Sequence, residues 1–390
     1  MSLIRRGTVC VPSVGARRDR DRRTAGFAVI GVAAAGVAVA LDPIAAQSSV
    51  EQSWSPFVLV VGLLLIGLVA DDDGLFAAAG QHLARSLRNG FALFIGSAIM
   101  IGIVTALLNL DTAVAFLTPV LVYAARARRS AEAPLLYSCL LLSNASSLFL
   151  PGSNLTNLIV VDHLDLTGGE FFTHMWPAAL AAVLTTALVI AVVERRSLRA
   201  RAIGLAERDP PRVGVGVVAV GAATVLVVAL REPAPFVAAV GLVAVGVRVA
   251  QRREKPAHVV SMLGVPVLVG LFGLAVALGT LGRAWSGPAM LLSQLDRWGT
   301  AAIGAVASVM FNNLPAAALL AAQPPRHPFA LLIGLNLGPN LFVTGSLAWI
   351  LWLRAARHVG AQPSVRKAAC LGALVVPCSM LAAVCALTLP

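Results

Sequence analysis

Apolar stretches of roughly 20 residues follow one another along most of the chain. Each is long enough to cross a bilayer core of about 30 Å. They predict spans at about 26–44, 56–70, 134–165, 173–193, 213–230, 235–250, 259–281, 329–353 and 368–388. Two further apolar segments, about 91–126 and 299–322, do not fit as single crossings and read as hairpins whose two ends lie on the same side. The first has its tip near Asp111 and the second near Asn313.

Two of the spans are interrupted by polar residues. In "SNASSLFLPGSNLTN" (143–157), Pro151 and Gly152 break the helix, because proline lacks an N–H and glycine is flexible. A broken helix exposes backbone N–H and C=O groups, which survive in a bilayer only when buried in protein or facing a polar cavity. Ser143, Asn144, Ser146, Ser147, Ser153, Asn154, Thr156 and Asn157 surround that break. A second break carries Asn336, Gly338, Pro339, Asn340, Thr344, Gly345 and Ser346. The two regions align: "LLNLDTAVAFL" (107–117) with "VMFNNLPAAAL" (309–319), and "SNASSLFLPGS" (143–153) with "NLGPNLFVTGS" (336–346). The pattern predicts an all-α polytopic membrane protein built from inverted-topology repeats, with two re-entrant hairpins and two broken transmembrane helices. Repeat one covers about 26–193, a linking span about 213–230, and repeat two about 235–388, together one transport domain at 26–388 behind a basic arm at 1–25. Breaks and tips then meet in one polar site. The competing reading is helix–helix glue, since Ser, Asn and Gly also pack transmembrane interfaces.

Charge sets the orientation. The 390 residues are 58% hydrophobic and 12% charged, against about 25% charged in soluble domains. The net charge of +12 does not imply nucleic acid, because the arginines lie in short clusters between apolar runs. Seven arginines precede Phe27, and the segment Asp42 to Pro56 has none, which places the N-terminus in the cytoplasm of a cell whose plasma or inner membrane holds the chain. A cleaved signal peptide competes for the first segment. Threaded this way, all but Arg231, Arg283, Arg297 and Arg326 of the 30 basic residues fall inside. A single crossing at either hairpin would destroy that asymmetry. Of five cysteines, the four in apolar runs (Cys139, Cys370, Cys378, Cys385) read as small buried hydrophobes.

Asp111 is the acidic residue at midplane depth, where an ionised group is costly and functional by default. It is the candidate proton-coupling group, with helix capping as the alternative role. Asp71, Asp72 and Asp73 read as a solvated cluster at a helix end. The candidate solute-binding residues are Asp111, Thr112, Ser143, Asn144, Ser153, Asn154, Thr156, Asn157, Asn312, Asn313, Asn336, Asn340, Thr344 and Ser346. No lysine or arginine falls in a tip or break, so a di- or tricarboxylate would need amides, hydroxyls, helix N-termini and sodium ions, whereas a neutral trihydroxide needs only donors and acceptors. The chain has no HExxH or GxxxxGK[ST] string, and no catalytic, metal or cofactor role is expected.

These strings resemble the ion transporter superfamily, and within it the arsenite/antimonite permeases. There the first tip reads roughly Asn-Asp-small-Ala and then Thr-Pro, matched by 110–113 and Thr118-Pro119. The first break ends Gly-Asn-Pro-Thr-Asn-Leu-Ile, matched by "SNLTNLI" (153–159). The second tip, Asn-Asn-Leu-Pro-Ala, is present at 312–316, and Asn-Leu-Gly-Pro-Asn with Gly-Ser-Leu-Ala at 336–340 and 345–348. The likeness covers about 56–388; Leu110, Ser153, Leu155 and Phe342-Val343 depart from the pattern beside the expected site. It implies a proton-coupled secondary transporter exporting arsenite or antimonite, an antiporter of arsenic resistance, handling a small solute with protons or sodium. A sodium/proton exchanger or organic-anion carrier on the same fold is the alternative, and a non-transporting scaffold or enzyme the third. A separate ATPase subunit and a homodimer stay open as partners.

Overall fold

The computed structural model describes residues 14–86, 89–199, 214–230, 232–251, 259 and 263–387, with side chains from Thr24 onward. The first half of the basic arm, Cys10, the start of the linking span, Arg231 and residues 260–262 of the span expected at 259–281 lie outside the described residues. Regular structure among those described is helical throughout.

The first half runs α1 (Val14–Leu41), α2 (Pro43–Asp72), a short α3 (Leu75–Ser86), α4 (Gly90–Leu107), α5 (Leu110–Ala127), α6 (Ala133–Ser146), a 3-10 turn at Pro151–Ser153, α7 (Leu155–Val161), α8 (Gly168–Val193) and α9 (Arg195–Arg199). After α10 (Val215–Ala229) the second half repeats the order. It runs α11 (Ala234–Ala250), α12 (Val265–Ala284), a short α13 (Gly287–Gln294), α14 (Arg297–Phe311), α15 (Asn313–Leu320), α16 (Pro328–Leu337), a 3-10 turn at Gly338–Leu341, α17 (Leu347–His358) and α18 (Val365–Leu387). Seven described helices have the length and hydropathy to cross a membrane: α1 from Thr24, α2, α4, α5, α8, α12 and α18.

The halves exchange partners. α1 packs on α12 while α2 packs on α11, and α5 packs on α17 while α15 packs on α7. α8 meets α18, and α2 meets α12. Contacts that come in swapped pairs are what a two-fold relation produces. Small residues set the closest approaches: a Cβ on Gly31 or Gly273 would fall on the backbone of the facing helix, so α1 and α12 touch main chain to main chain.

Several expectations change here. The loop expected at 42–56 is helix. Asp42 caps α2, accepting the Ala45 N–H at 3.0 Å, and Pro43 takes the first turn, where its missing N–H costs nothing. α2 is therefore 30 residues long and carries Pro56 inside it. The aspartate triplet splits: the Asp73 carboxylate pairs with Arg248 at 3.0 Å and accepts the Gly216 N–H at 2.6 Å, both charged side chains being buried. It lashes α2 to α11 and to the N-terminus of α10, where a negative charge is favoured. Cys139 is buried as expected, but Cys370, Cys378 and Cys385 are exposed on α18, whose outer face is apolar. A thiol suits a hydrocarbon-facing surface as well as a core.

The two hairpins are unequal. α4 and α5 have 18 residues each, about 27 Å. α14 has 15 and α15 only 8, about 12 Å for the shorter arm.

Candidate functional site

Both helices predicted to break do so. α6 stops at Ser146, the chain turns through Leu148 to Leu150, and α7 restarts after Asn154. α16 stops at Leu337 and α17 starts after Ser346. The two breaks face each other and are joined by a buried lattice of amides. Asn336 is its centre: its Oδ1 accepts from Ser147 Oγ and Asn154 Nδ2, both at 2.6 Å, and its Nδ2 donates to Asn157 Oδ1 at 2.8 Å and to the Leu332 carbonyl at 2.9 Å. Asn144 Nδ2 donates to Asn340 Oδ1 at 2.8 Å, and Asn340 Nδ2 to the Leu141 carbonyl at 3.1 Å. Asn157 Nδ2 closes the first break by donating to the Ser147 and Leu150 carbonyls at 2.7 and 3.1 Å. Breaking α6 frees those carbonyls, and an asparagine supplies the donors. Trp349 Nε1 does the same for the Pro339 carbonyl at 2.8 Å. A Cβ on Gly372 of α18 would fall on the Asn340 carbonyl oxygen, so that helix lies directly against the second break.

The tips are capped by asparagines. Asn109 Oδ1 accepts the Thr112 N–H at 2.6 Å, so Asn109, not Asp111, is the N-cap of α5. The capping alternative for Asp111 is thereby removed. Asn312 caps α15 through the Leu314 N–H at 3.4 Å and holds φ at 73°, a conformation that costs a non-glycine residue energy. By their caps the tips correspond as Asn109 with Asn312, one residue away from the sequence register that set Asp111 opposite Asn313. Three bonds hold the second tip to the second break: Asn313 N–H to the Gly345 carbonyl at 2.9 Å, Asn312 Nδ2 to the Thr344 carbonyl at 3.3 Å, and Thr344 Oγ1 to the Val309 carbonyl at 2.6 Å. The first tip is tied by Ser153 Oγ to the Ala106 carbonyl at 3.1 Å.

A cavity of about 870 Å³ opens beside the second tip, lined by Asn312, Thr344 and Ser346 with Phe27 of α1 and Leu271 of α12 among its apolar walls. A recess of about 120 Å³ adjoins it, sharing Val267, Leu347 and Arg354, and Asp111 lines that recess. Nine of the fourteen predicted residues thus fall into two sets. Asp111, Asn312, Thr344 and Ser346 border open space. Asn144, Asn154, Asn157, Asn336 and Asn340 are bonded to one another, with Asn144 Oδ1 left over. Ser143 is bonded back to the Cys139 carbonyl at 2.6 Å, and the Cys139 thiol lies 3.3 Å from Thr118 Oγ1, away from the cavity lining. Four buried polar atoms of the predicted set have no partner among the described residues: Thr112 Oγ1, Asn144 Oδ1, Thr156 Oγ1 and Ser346 Oγ. They come from the first tip, both sides of the first break, and the second break.

Arg354 was missed. It stands one residue beyond the span expected at 329–353, where it passes for a flanking charge. Its helical spacing with Leu347 and Ile350, which also line the cavity, is the signal that places it on the cavity-lining stripe of α17, on which Ile350 and Arg354 are exposed.

The family model described as a citrate transporter, CitMHS, matches residues 19–335. The chain belongs to this family. The CitMHS match covers α1 through most of α16 and stops just before Asn336. Curated relatives include an arsenical pump membrane protein of Escherichia coli, 26% identical over 348 residues and 80% of each chain, and one of Yersinia enterocolitica, 26% identical over 351 residues and 80% of each. Among solved structures, the Alcanivorax borkumensis YdaH transporter, described as having an unusual topology, superposes with a TM-score of 0.54 at 14% identity. That superposition covers 93% of this chain and 96% of the other, and it shows a shared fold. The CitMHS chain described here is accordingly a multi-pass membrane transporter.

Proposed function

We propose that the chain is a secondary active transporter whose solute occupies the cavity at the second tip, with protons coupled at Asp111. The carrying observation is the cavity itself: amide and hydroxyl groups of Asn312, Thr344 and Ser346 border it, and the adjoining recess holds the carboxyl group of Asp111. Arsenite or antimonite export is the first reading. Two curated relatives bear the name of arsenical pump, and a neutral trihydroxide needs the donors and acceptors that such groups provide. The swapped contacts between halves support an inverted repeat, and the short α15 supports re-entry of the second hairpin. The cavity lies at the ends of α1 and α12 that join the arginine-bearing segments, so this form opens to the cytoplasm by the positive-inside rule. An organic anion is the second reading, favoured by the citrate description of the family and by Arg354 in the cavity lining.

The test is solute accumulation in inside-out vesicles under an imposed pH gradient without ATP, with arsenite, citrate and sodium compared. Gradient-driven accumulation of arsenite supports the first reading and of citrate the second. No movement of any of them sinks both. For the topology, cysteines introduced at Asn89 and Ser130, which flank α4 and α5, should label from the same side; opposite sides would end the inverted-repeat reading.

A further inference from the structure

A second large space lies away from the polar residues. A groove of about 850 Å³ runs between α4 and α8, and every residue in its lining is apolar. Ile95, Ile99 and Ile103 form one wall, and Leu180, Leu184 and Ala187 the other. Ile99, Ile103 and Leu184 are more than half exposed. Leu107 of the last turn of α4 and Leu150 of the first break close the inner end, where Phe149 stacks on Phe172 with ring centroids 6.4 Å apart. From Phe94 to Leu107 the groove is about 20 Å long by helix rise. That is more than half of a bilayer core of about 30 Å. Such a space offers water no partners.

The other end of the groove is charged. α8 runs into α9 with its hydrogen bonding kept: Glu194 N–H donates to the Ile190 carbonyl at 2.8 Å, and Leu198 N–H to the Glu194 carbonyl at 3.0 Å. Arg195 therefore stands three helical turns beyond Leu184, about 17 Å by rise, and Arg199 one turn further. A Cβ on Gly90 would fall on the Leu198 carbonyl oxygen, so α9 lies against the start of α4. Arg195, Arg196 and Arg199 are exposed, and no ion pair engages them among the described residues. The neighbouring carboxylate, Glu194, is buried and pairs with Lys367 of α18 at 2.6 Å.

Two ordinary readings compete. Arginines at a helix end mark a cytoplasmic loop, and attract anionic headgroups without choosing a place for the tail. Here they stand at the end of a groove that is long enough for one. A second copy of the chain is the other occupant. A two-fold dimer across this groove would bring the arginines of both copies to one level of the membrane, like charge on like charge.

We propose that the groove holds an acyl tail of an anionic phospholipid, from the leaflet that the positive-inside rule makes cytoplasmic, with the phosphate on Arg195 and Arg199. Guanidinium forks match phosphate oxygens. The tail gains close packing against both walls, the term that decides association inside a bilayer. It fills the wedge left beside α8 where α4 ends at the first tip. The lipid so placed braces the first tip and the first break from their outer side.

The test uses the full chain purified in detergent at neutral pH, with dioleoyl phosphatidylglycerol, dioleoyl phosphatidylcholine and inorganic phosphate compared. Native mass spectrometry counts retained lipid, and thermal unfolding reads stabilisation. Wild type should retain phosphatidylglycerol about tenfold better than phosphatidylcholine, the effect of one or two juxtamembrane cations. Its melting temperature should rise with phosphatidylglycerol and not with phosphate. In the double variant Arg195→Gln, Arg199→Gln the two lipids should be retained within about twofold of each other. Its lipid-free melting temperature should be unchanged, since neither side chain has an ion pair to lose. Ala98→Phe, which puts a ring into the groove, should lower retention of both lipids. If that variant does not fold, Leu184→Gln, at an exposed position, tests the same wall without added volume. Equal retention of the two lipids by wild type, or a preference that survives in the double variant, overturns the headgroup assignment. Undiminished retention in a folded groove variant overturns the tail assignment. Stabilisation by phosphate alone would make the arginines a free-anion site, and a dimer that Ala98→Phe dissociates would put a second copy in the groove; either result overturns the proposal.

Discussion

The lattice between the two breaks and the cavity at the second tip are made from the same residue types. In the lattice, Asn336 makes four hydrogen bonds, and Asn336, Asn340 and Asn157 are fully buried. In the cavity, Thr344 is exposed, Asn312 is half-buried, and Ser346 is buried with a hydroxyl that has no partner among the described residues. An asparagine deep in a membrane protein is therefore not a binding group by virtue of its depth. What separates the two sets is whether the residue borders open space: Asn312 and Thr344 are hydrogen-bonded as well, to the Leu314 N–H and the Thr344 and Val309 carbonyls, but they line the cavity. The hydrogen bonding fits the glue reading for the first set, and the second set is the one on which the proposed site rests; the two lie a few residues apart on one broken helix.

The largest effect should come from emptying the lattice. Asn336→Ala removes the one acceptor that Ser147 Oγ and Asn154 Nδ2 share across the breaks and strands Asn157 Oδ1, while Ser147 Oγ keeps the Asn144 carbonyl at 2.7 Å. Each buried group left without a partner costs about 1–3 kcal/mol, so the loss should amount to several kcal/mol. Asn340→Ala, which breaks one side-chain bond to Asn144 and one to a carbonyl, should cost less. Thermal unfolding in detergent, followed by monodisperse yield, measures both. A stable Asn336→Ala protein with impaired uptake would move Asn336 from clamp to site.

Next in size is the coupling residue. Asp111→Asn keeps shape and most hydrogen bonding and cannot titrate, and Asn109 already caps the helix, so folding should be little affected. A pH gradient of one unit coupled to one proton supplies about 1.4 kcal/mol, a tenfold accumulation. The variant should fall to equilibrium distribution in vesicles, while solute still exchanges. Undiminished accumulation would leave sodium or a partner ATPase as the energy source.

How far the chain could be read in advance follows the same division. The helices were legible because apolar length alone fixes them, and the breaks because Pro151-Gly152 and Gly338-Pro339 cannot continue one. The tips fell within two residues of expectation, since Asn109 and Asn312 carry a local capping signal that neighbouring Asp111 and Asn313 mask. The helix at 43–55 was illegible because its polar residues read as loop, although Ser49 and Gln52 are buried and Gln52 Nε2 donates to the Ile159 and Ala321 carbonyls. Which amides pair with which was also out of reach. Asn144 and Asn340 lie 196 residues apart, and only the packing of α6 on the second break brings them together. Asp73 shows the same limit for charge: a residue at the end of an apolar run reads as interfacial unless the fold turns its side chain inward, as its pairing with Arg248 does.

The smallest effect is the sharpest test, because it separates stability from function in sign. Ser346 is 2% exposed and its hydroxyl has no partner among the described residues, yet the residue lines the cavity. Truncating a buried, unsatisfied hydroxymethyl to a methyl removes a desolvation cost and loses no protein hydrogen bond. Ser346→Ala should therefore leave stability unchanged or raise it by up to about 1 kcal/mol. If the hydroxyl serves the solute, the same change should weaken solute binding by about two- to tenfold, the value of one neutral hydrogen bond. Asn336→Ala should behave in the opposite way, losing stability first. Thermal unfolding and solute affinity measured on the same Ser346→Ala preparation decide the matter: a loss of stability with affinity intact would show that the second break is clamp throughout, and would move the solute site off Ser346.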